Sequence, residues 1–381
     1  MMATSFLYAI PYIIVLIILF FLYLKERAGY GYASQIAFLL VLFFIGLRGH
    51  LYTDYISYYP FYENLPTVFD LHSYLDTVTF EKGFVIYSSI IKTIFPNYFI
   101  WVFINSLIDL SILYLFFKKY SASTVLSFIV FIAFSGLAIE FNLYRNSKAI
   151  MLFLLSIPYL KERKIVPYMC INLVAAFFHI SAIIYFPLYF ILTKEFPRVL
   201  IWIIFLVVNI VVIFHLSISG YILSLGETLL GDSVSYAKML LYSNSGNAYG
   251  LTFGFLERTF AFLLFTLYYD KLCEQDEMNR IFYNCFVLYY TLFHLFLDIQ
   301  VFTERIPLLF VFSYWILYPN VIKSFKIKNN ALVVMACLTV LCFYKTISSN
   351  NNILTKYDNV LFGIETFEQR QYYFNRYNNL I

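Results

Sequence analysis

Charge is scarce in this sequence: only 13% of its 381 residues are Asp, Glu, Lys or Arg, about half the share of a soluble globular domain. The formal net charge of +4 is dispersed over many short loops. With no clustered basic face, nucleic acid is excluded as a partner. Five cysteines, Cys170, Cys273, Cys285, Cys337 and Cys342, are scattered without paired spacing, and the five histidines form no zinc pattern with them. Neither a disulfide framework nor a zinc site is indicated. Walker, GxGxxG, HExxH and DxD motifs are missing, so nucleotide hydrolysis, dinucleotide redox, zinc proteolysis and metal-held nucleotide sugars have no support. The thirteen glycines and ten prolines gather into no linker.

What is abundant is apolar surface, 62% of residues, of which 44 are Phe and 36 Tyr. The mean hydropathy is +0.77. Crossing lipid takes roughly 20 apolar residues per helix, because every backbone N–H and C=O must be satisfied within its own segment. Apolar runs fall near 3–24, 33–48, 98–117, 122–140, 144–160, 165–178, 180–193, 198–216, 251–270, 279–297, 303–322 and 330–346. The expected fold is an all-α polytopic membrane protein of about 12 transmembrane helices, a GT-C-like helical bundle. The expected organisation is one transmembrane domain, 1–346, with outer loops 49–97 and 217–250, followed by a polar C-terminal tail, 347–381. The piece near 83–95 is too short to span and is closed by Pro96; it is expected to be an interfacial or re-entrant helix. The first run has no basic segment before it and no small-residue cleavage site after it, and is expected to be a retained helix.

The stretch 165–193 is either one long tilted helix or a hairpin turning near His179. With a hairpin, the loops holding Lys25/Arg27, Lys118/Lys119, Lys161/Arg163/Lys164, Lys194/Arg198, Lys271/Arg280 and Lys323/Lys326/Lys328 all fall on one side, which the positive-inside rule makes the cytoplasm. Both termini and the longer loops then face outward.

Several ionisable residues lie at or near the outer ends of spans: Arg48, Arg145, Lys148, His179, Arg258, Glu304 and Arg305. Such groups usually line a wet cavity and mark function. Arg48 and Lys148 also fit a snorkelling anchor, His179 also fits a satisfied core histidine, and Asp54 and Glu81 are ordinary for a polar loop. Convergence on one membrane face favours function. Guanidinium forks match phosphate oxygens bidentately, so an anionic phosphate or diphosphate ligand fits, with the tyrosine-dense loop from Leu51 to Leu65 suited to stacking on sugars.

The succession "RGHLYTDYISYYPFYE", "FEKGFVIYSSIIK", "NLYRNSKAIMLFLL", "FFHISAIIYFPLYF" and "TERIPLLFVFSYW" resembles the EpsG-like branch of the Wzy-type polysaccharide polymerases, over roughly residues 45–320. The resemblance implies transfer of a growing glycan from undecaprenyl diphosphate to another undecaprenyl-diphosphate-linked repeat unit at the outer face of the bacterial inner membrane. It implies no metal and no cofactor, with an undecaprenyl-diphosphate-linked oligosaccharide and membrane lipid as partners, and it admits a chain-length regulator. The family's motif positions fall on Arg48, Asp54, Tyr58, Glu81, Asn142, Arg145, His179, Ser181 and Arg305; the family more often has Arg-Gln where this chain has Arg145-Asn146. Arg48, Arg145, Lys148, Arg258 and Arg305 are then expected to hold the diphosphate, His179 in preference to Asp54 or Glu81 to supply the general base, and Tyr58, Asn142, Ser181 and Glu304 to support or contact glycan. A lipid-linked-sugar glycosyltransferase or ligase and a transporter of lipid-linked or anionic solutes are the alternatives. The absence of an internal repeat argues against the transporter.

Overall fold

The computed structural model describes residues 4–216, 252–297 and 305–378. Glu304 and the loop 217–250 lie outside them. Among the described residues there is no strand, only three isolated bridges. Four helices there are long and apolar enough to cross a membrane: Phe6–Arg27, Tyr98–Tyr120, Thr124–Asn142 and Lys328–Ser349. Three shorter apolar helices accompany them, Ala33–Gly46, Ile165–Phe178 and Arg198–Ile213. The all-helical, membrane-type architecture is as expected, while a dozen full-length spans is more than these helices provide. Phe6, Leu7, Ile17, Phe21 and Leu24 are exposed along the first helix, and Leu332, Val333 and Val340 along Lys328–Ser349. Contiguous apolar faces of this kind are rare on soluble monomers and suit hydrocarbon.

The chain forms two compact units, one of Met1–Tyr189 with Tyr314–Ile381 and one of Phe190–Ser313. In the first unit, polar side chains set the helix starts. Ser5 accepts from Leu7 N–H, Asn97 from Phe99 and Ile100, and Ser123 from Leu126, each satisfying donors that a first turn leaves open. The Phe6–Arg27 helix packs on Ala33–Gly46, Thr124–Phe131 and Lys328–Ser349.

Three interruptions shape the site end of this unit. The first is Ile132–Gly136, where Phe134 leaves helical geometry and Ser135 takes a positive φ of 64°; Trp315 Nε1 donates to the freed Phe134 carbonyl at 3.0 Å. At Leu143 (φ −106°, ψ 49°) one helix ends with Asn142 and Tyr144–Lys161 begins, with Arg145 in its first turn. The third break is His179, which ends Ile165–Phe178. Tyr168 Oη then donates to Tyr185 O at 2.6 Å and the Phe153 and Tyr185 rings stack at 3.9 Å. A continuous helix would separate positions 168 and 185 by about 25 Å, so the chain turns back at His179, as the charge pattern predicts. The returning limb of the hairpin is not the helix expected over 180–193. It is a 3-10 segment, Ile180–Ile184, and a single turn, Tyr185–Leu188, with the Tyr185 carbonyl met by Tyr168 Oη and Pro187 supplying no donor. The expected span 303–322 is likewise divided into Pro307–Phe310 and Phe312–Ser324. The short helix near 83–95 is present as Lys82–Ile94.

The polar C-terminal segment is docked, not loose. Val360 N donates to Leu47 O at 2.8 Å, Tyr52 N to Leu354 O at 2.9 Å, and Tyr357 Oη to Phe44 O at 2.8 Å. Arg370, 1% exposed, anchors it through Asp358 and Glu365, both at 2.8 Å. His50 is clasped beneath it among Tyr55, Tyr59, Tyr98, Phe99 and Phe367. Burial, with the Arg370 charge adding to it, lowers the His50 imidazole to about 4. A histidine whose folded pKa lies below its unfolded value of about 6.5 destabilises the fold as pH falls from about 6.5 towards 4. Replacing His50 with Phe should therefore flatten the loss of unfolding midpoint over that window, an effect of about 3 kcal/mol by linkage; thermal melts from pH 7 to 4 provide the comparison.

Candidate active site

The aromatic base of the site is laid down by the helices Tyr55–Asn64, Lys82–Ile94 and Tyr98–Tyr120, whose Tyr58, Phe84 and Trp101 form one buried cluster with Tyr144. Tyr58 packs edge-on to Tyr144 at 4.8 Å between centroids. Arg145, one residue on, sits over this cluster with its guanidinium 4.7 Å from the Phe80 ring centre.

Arg145 and Glu81 are the polar core of the site. Arg145 Nη1 donates to Glu81 Oε2 at 2.5 Å and Nε to Tyr58 Oη at 3.3 Å. Glu81 Oε1 accepts from Ile180 N–H at 3.4 Å and lies 3.8 Å from His179 Nδ1. The three side chains keep 22%, 20% and 13% exposure for Arg145, Glu81 and His179, so the cluster is sheltered yet open to a ligand. Four stretches distant in sequence thereby meet: the first polar loop, the start of Lys82–Ile94, the Leu143 break and the His179 turn.

Electrostatics distinguishes the two candidate bases here. Burial pushes the Glu81 carboxyl up, but the Arg145 charge and hydrogen bond, a backbone donor and His179 more than offset this and hold it below the usual carboxylate range. Glu81 is thus an anion while Arg145 is beside it. His179 Nδ1 accepts from Ser181 N–H at 3.1 Å, capping the 3-10 turn; this assigns the neutral ring's proton to Nε2. Burial pushes the Tyr58 phenol up to about 12, so it stays a neutral acceptor for Arg145.

Gly83 allows this convergence. A Cβ there would lie 2.6 Å from Phe177 O and 2.8 Å from Phe177 Cβ, so only glycine lets the two helices approach at this point. Gly83→Val should separate Glu81 from Ile180 and His179, cutting activity more than tenfold, on the scale of a misplaced catalytic group, with protein still present in the membrane fraction. An activity measurement beside an immunoblot reads both.

The other expected residues take different places. Asn142 Oδ1 accepts from Thr53 N (3.1 Å) and Asp54 N (3.2 Å), pinning the start of the Tyr55–Asn64 helix, and the half-buried Asp54 accepts from Thr53 Oγ1 at 3.2 Å. Arg48 is 2% exposed and engaged by protein: Ile45 O, Glu140 O and Tyr144 Oη at 2.6 Å each and Ser106 Oγ at 3.2 Å, with Phe141 beneath it at 4.6 Å. Lys148, 5% exposed, donates to Asp109 Oδ1 at 2.7 Å and Asn105 O at 3.0 Å, while Ser147 Oγ holds the other Asp109 oxygen. In the second unit, Arg258 Nε donates to Tyr289 Oη at 3.3 Å and stacks on Phe293 at 3.4 Å, and Arg305 is exposed.

Sequence reasoning overlooked the buried acids Asp109 (2% exposed) and Glu140 (3%). Each is the lone carboxylate in a long apolar run, "NSLIDLSIL" and "GLAIEFN", and that isolation was the available signal. It also overlooked Arg370, whose polar surroundings carry no such signal.

Apolar helices with exposed hydrocarbon-like faces, enclosing buried charges and a partly open arginine–carboxylate–imidazole cluster, define a helical membrane protein. The chain belongs to the EpsG family, whose model matches residues 31–359, and EpsG is a Wzy-type polysaccharide polymerase family. The protein is therefore a polysaccharide polymerase of glycosyltransferase-like type. Neither a curated protein nor a solved structure matches it.

Proposed function

We propose that the protein lengthens a glycan carried on undecaprenyl diphosphate, transferring it to the non-reducing end of another undecaprenyl-diphosphate-linked repeat unit at the outer face of the bacterial inner membrane. The observation that carries this reading is the Arg145–Glu81 pair, held by Tyr58 and by the Ile180 N–H of the His179 turn at a partly exposed end of the bundle. In the transfer the acceptor hydroxyl oxygen attacks the sugar's anomeric carbon. The bond from that carbon to the diphosphate oxygen breaks, and the leaving diphosphate takes the electron pair. A preorganised guanidinium in a sheltered site stabilises the charge that develops there.

Arg145 takes that role, and Glu81 takes the acceptor's proton. At rest Arg145 holds Glu81 as a weak base; a diphosphate that draws the guanidinium towards itself restores the carboxylate's proton affinity when the donor has arrived. His179, with Nδ1 accepting from the Ser181 N–H, caps the turn whose Ile180 N–H donates to Glu81. Arg48 and Lys148 brace the framework and Asn142 fixes the loop carrying Asp54 and Tyr58; Arg305 keeps a phosphate role on the strength of the resemblance, and Arg258 only on its place near the end of a span. Purified protein in liposomes, supplied with lipid-linked repeat units, tests the assignment when chain growth and lipid translocation are followed side by side. Growth of a glycan ladder is expected; translocation without growth would replace the polymerase with a transporter.

A further inference from the structure

The first unit has a second charged feature, remote from the site described. A cavity of about 640 Å³ opens beside Arg27, Lys323, Lys326 and Lys328 and has no acidic residue in its lining. The nearby Glu26 accepts from Ser123 Oγ, itself in the cavity wall, and, at 3.3 Å, from Val125 N, so its carboxylate is taken up by these donors. The inner wall is apolar, formed by Leu126, Ile322 and Leu332 among others, and it continues into the exposed apolar face of Lys328–Ser349.

Three helices fix its position. Phe6–Arg27 starts beside the Thr4–Asn352 bridge and ends at the cavity. Tyr98–Tyr120 starts in the aromatic cluster under Arg145 and leads to Ala122 and Ser123 in the cavity wall. Lys328–Ser349 starts at the cavity and ends at Asn350, which accepts from Tyr52 Oη at 2.9 Å. A 22-residue helix such as the first is about 33 Å long, close to the hydrocarbon thickness. The cavity and the candidate active site thus stand at opposite ends of the same bundle.

We propose that this cavity is a separate binding site for a phosphate-bearing anion, its phosphate among Arg27, Lys323, Lys326 and Lys328 and any acyl chain along Leu332 and the helix face beyond. Basic pockets between transmembrane helices are suited to anionic head groups, and a cation collar above an apolar wall meets both parts of such a lipid. Free phosphate offers the collar the same chemistry without the tail.

Native mass spectrometry on the full-length, detergent-extracted protein separates these sources, with phosphatidylglycerol, phosphatidylcholine and inorganic phosphate as probes. The expected result is about one phosphatidylglycerol retained per chain, with phosphatidylcholine released. The triple variant Lys323→Gln/Lys326→Gln/Lys328→Gln should bind it roughly a hundredfold more weakly, at about fivefold per cation. Leu332→Trp, which fills the apolar wall and leaves the cations, should also reduce lipid retention if the acyl chain lies there. Saturable phosphate binding that the triple variant loses, without lipid retention, supports the site and assigns it to a soluble ligand. Equal phosphatidylglycerol retention by the wild type and both variants, with no phosphate binding, would overturn the proposal. None of these readouts depends on glycan synthesis.

Discussion

Arg145→Ala is expected to abolish long-chain glycan, lowering elongation roughly 10³-fold, the upper end of the range for loss of one preorganised donor to a developing anion. Membrane protein level should be unchanged, because Arg145 is 22% exposed and its partner Glu81 20%, so water can take over the released carboxylate. Arg145→Lys should recover little of the activity. Lysine keeps the charge but loses the planar fork that lets one guanidinium address Tyr58 and Glu81 at once and meet two phosphate oxygens. Glycan ladders and membrane immunoblots from cells carrying each variant provide the measurement. Normal chain length in Arg145→Ala would remove arginine from the chemistry.

The second large effect concerns stability. The Lys148 and Asp109 side chains are 6% and 2% exposed and lie 2.7 Å apart; removing one partner strands the other charge in the bundle. Lys148→Met and Asp109→Leu should each cost about 3 to 5 kcal/mol, whereas the double variant, with both charges gone, should lie close to the wild type. The readouts are the yield of monodisperse protein after extraction and its unfolding midpoint. If Lys148→Met folded as well as the wild type and lost only activity, Lys148 would be a substrate contact and its bracing role would fall.

Length and hydropathy made the helical membrane architecture legible, since apolar runs need no tertiary information to be recognised. The turn at His179 was legible from cation placement alone, because a single helix would have split the basic loops between two sides. The helix interruption at Phe134 and Ser135 was not: no proline marks it, and its freed carbonyl is satisfied by Trp315, 181 residues away. Arg48 stood out as an isolated cation, yet what it binds depends on a carbonyl and a phenol from the segment 140–144, a contact that sequence spacing does not encode. Glu81 and Tyr58 were indicated by the family resemblance and not by periodicity, as both lie in a polar loop where such residues are common. The C-terminal segment read as a tail because its polar composition has no apolar period. Its order comes from backbone bonds to Leu47 and Tyr52 and the buried Arg370 ion pairs.

The most direct test is a cryo-electron microscopy map of the full-length protein with an undecaprenyl-diphosphate-linked repeat unit bound. Diphosphate density within hydrogen-bonding reach of the Arg145 guanidinium, with the Glu81 carboxylate turned towards the acceptor side, is the result predicted. Diphosphate density confined to other residues, with the Arg145–Glu81 pair intact and remote from it, would contradict the account.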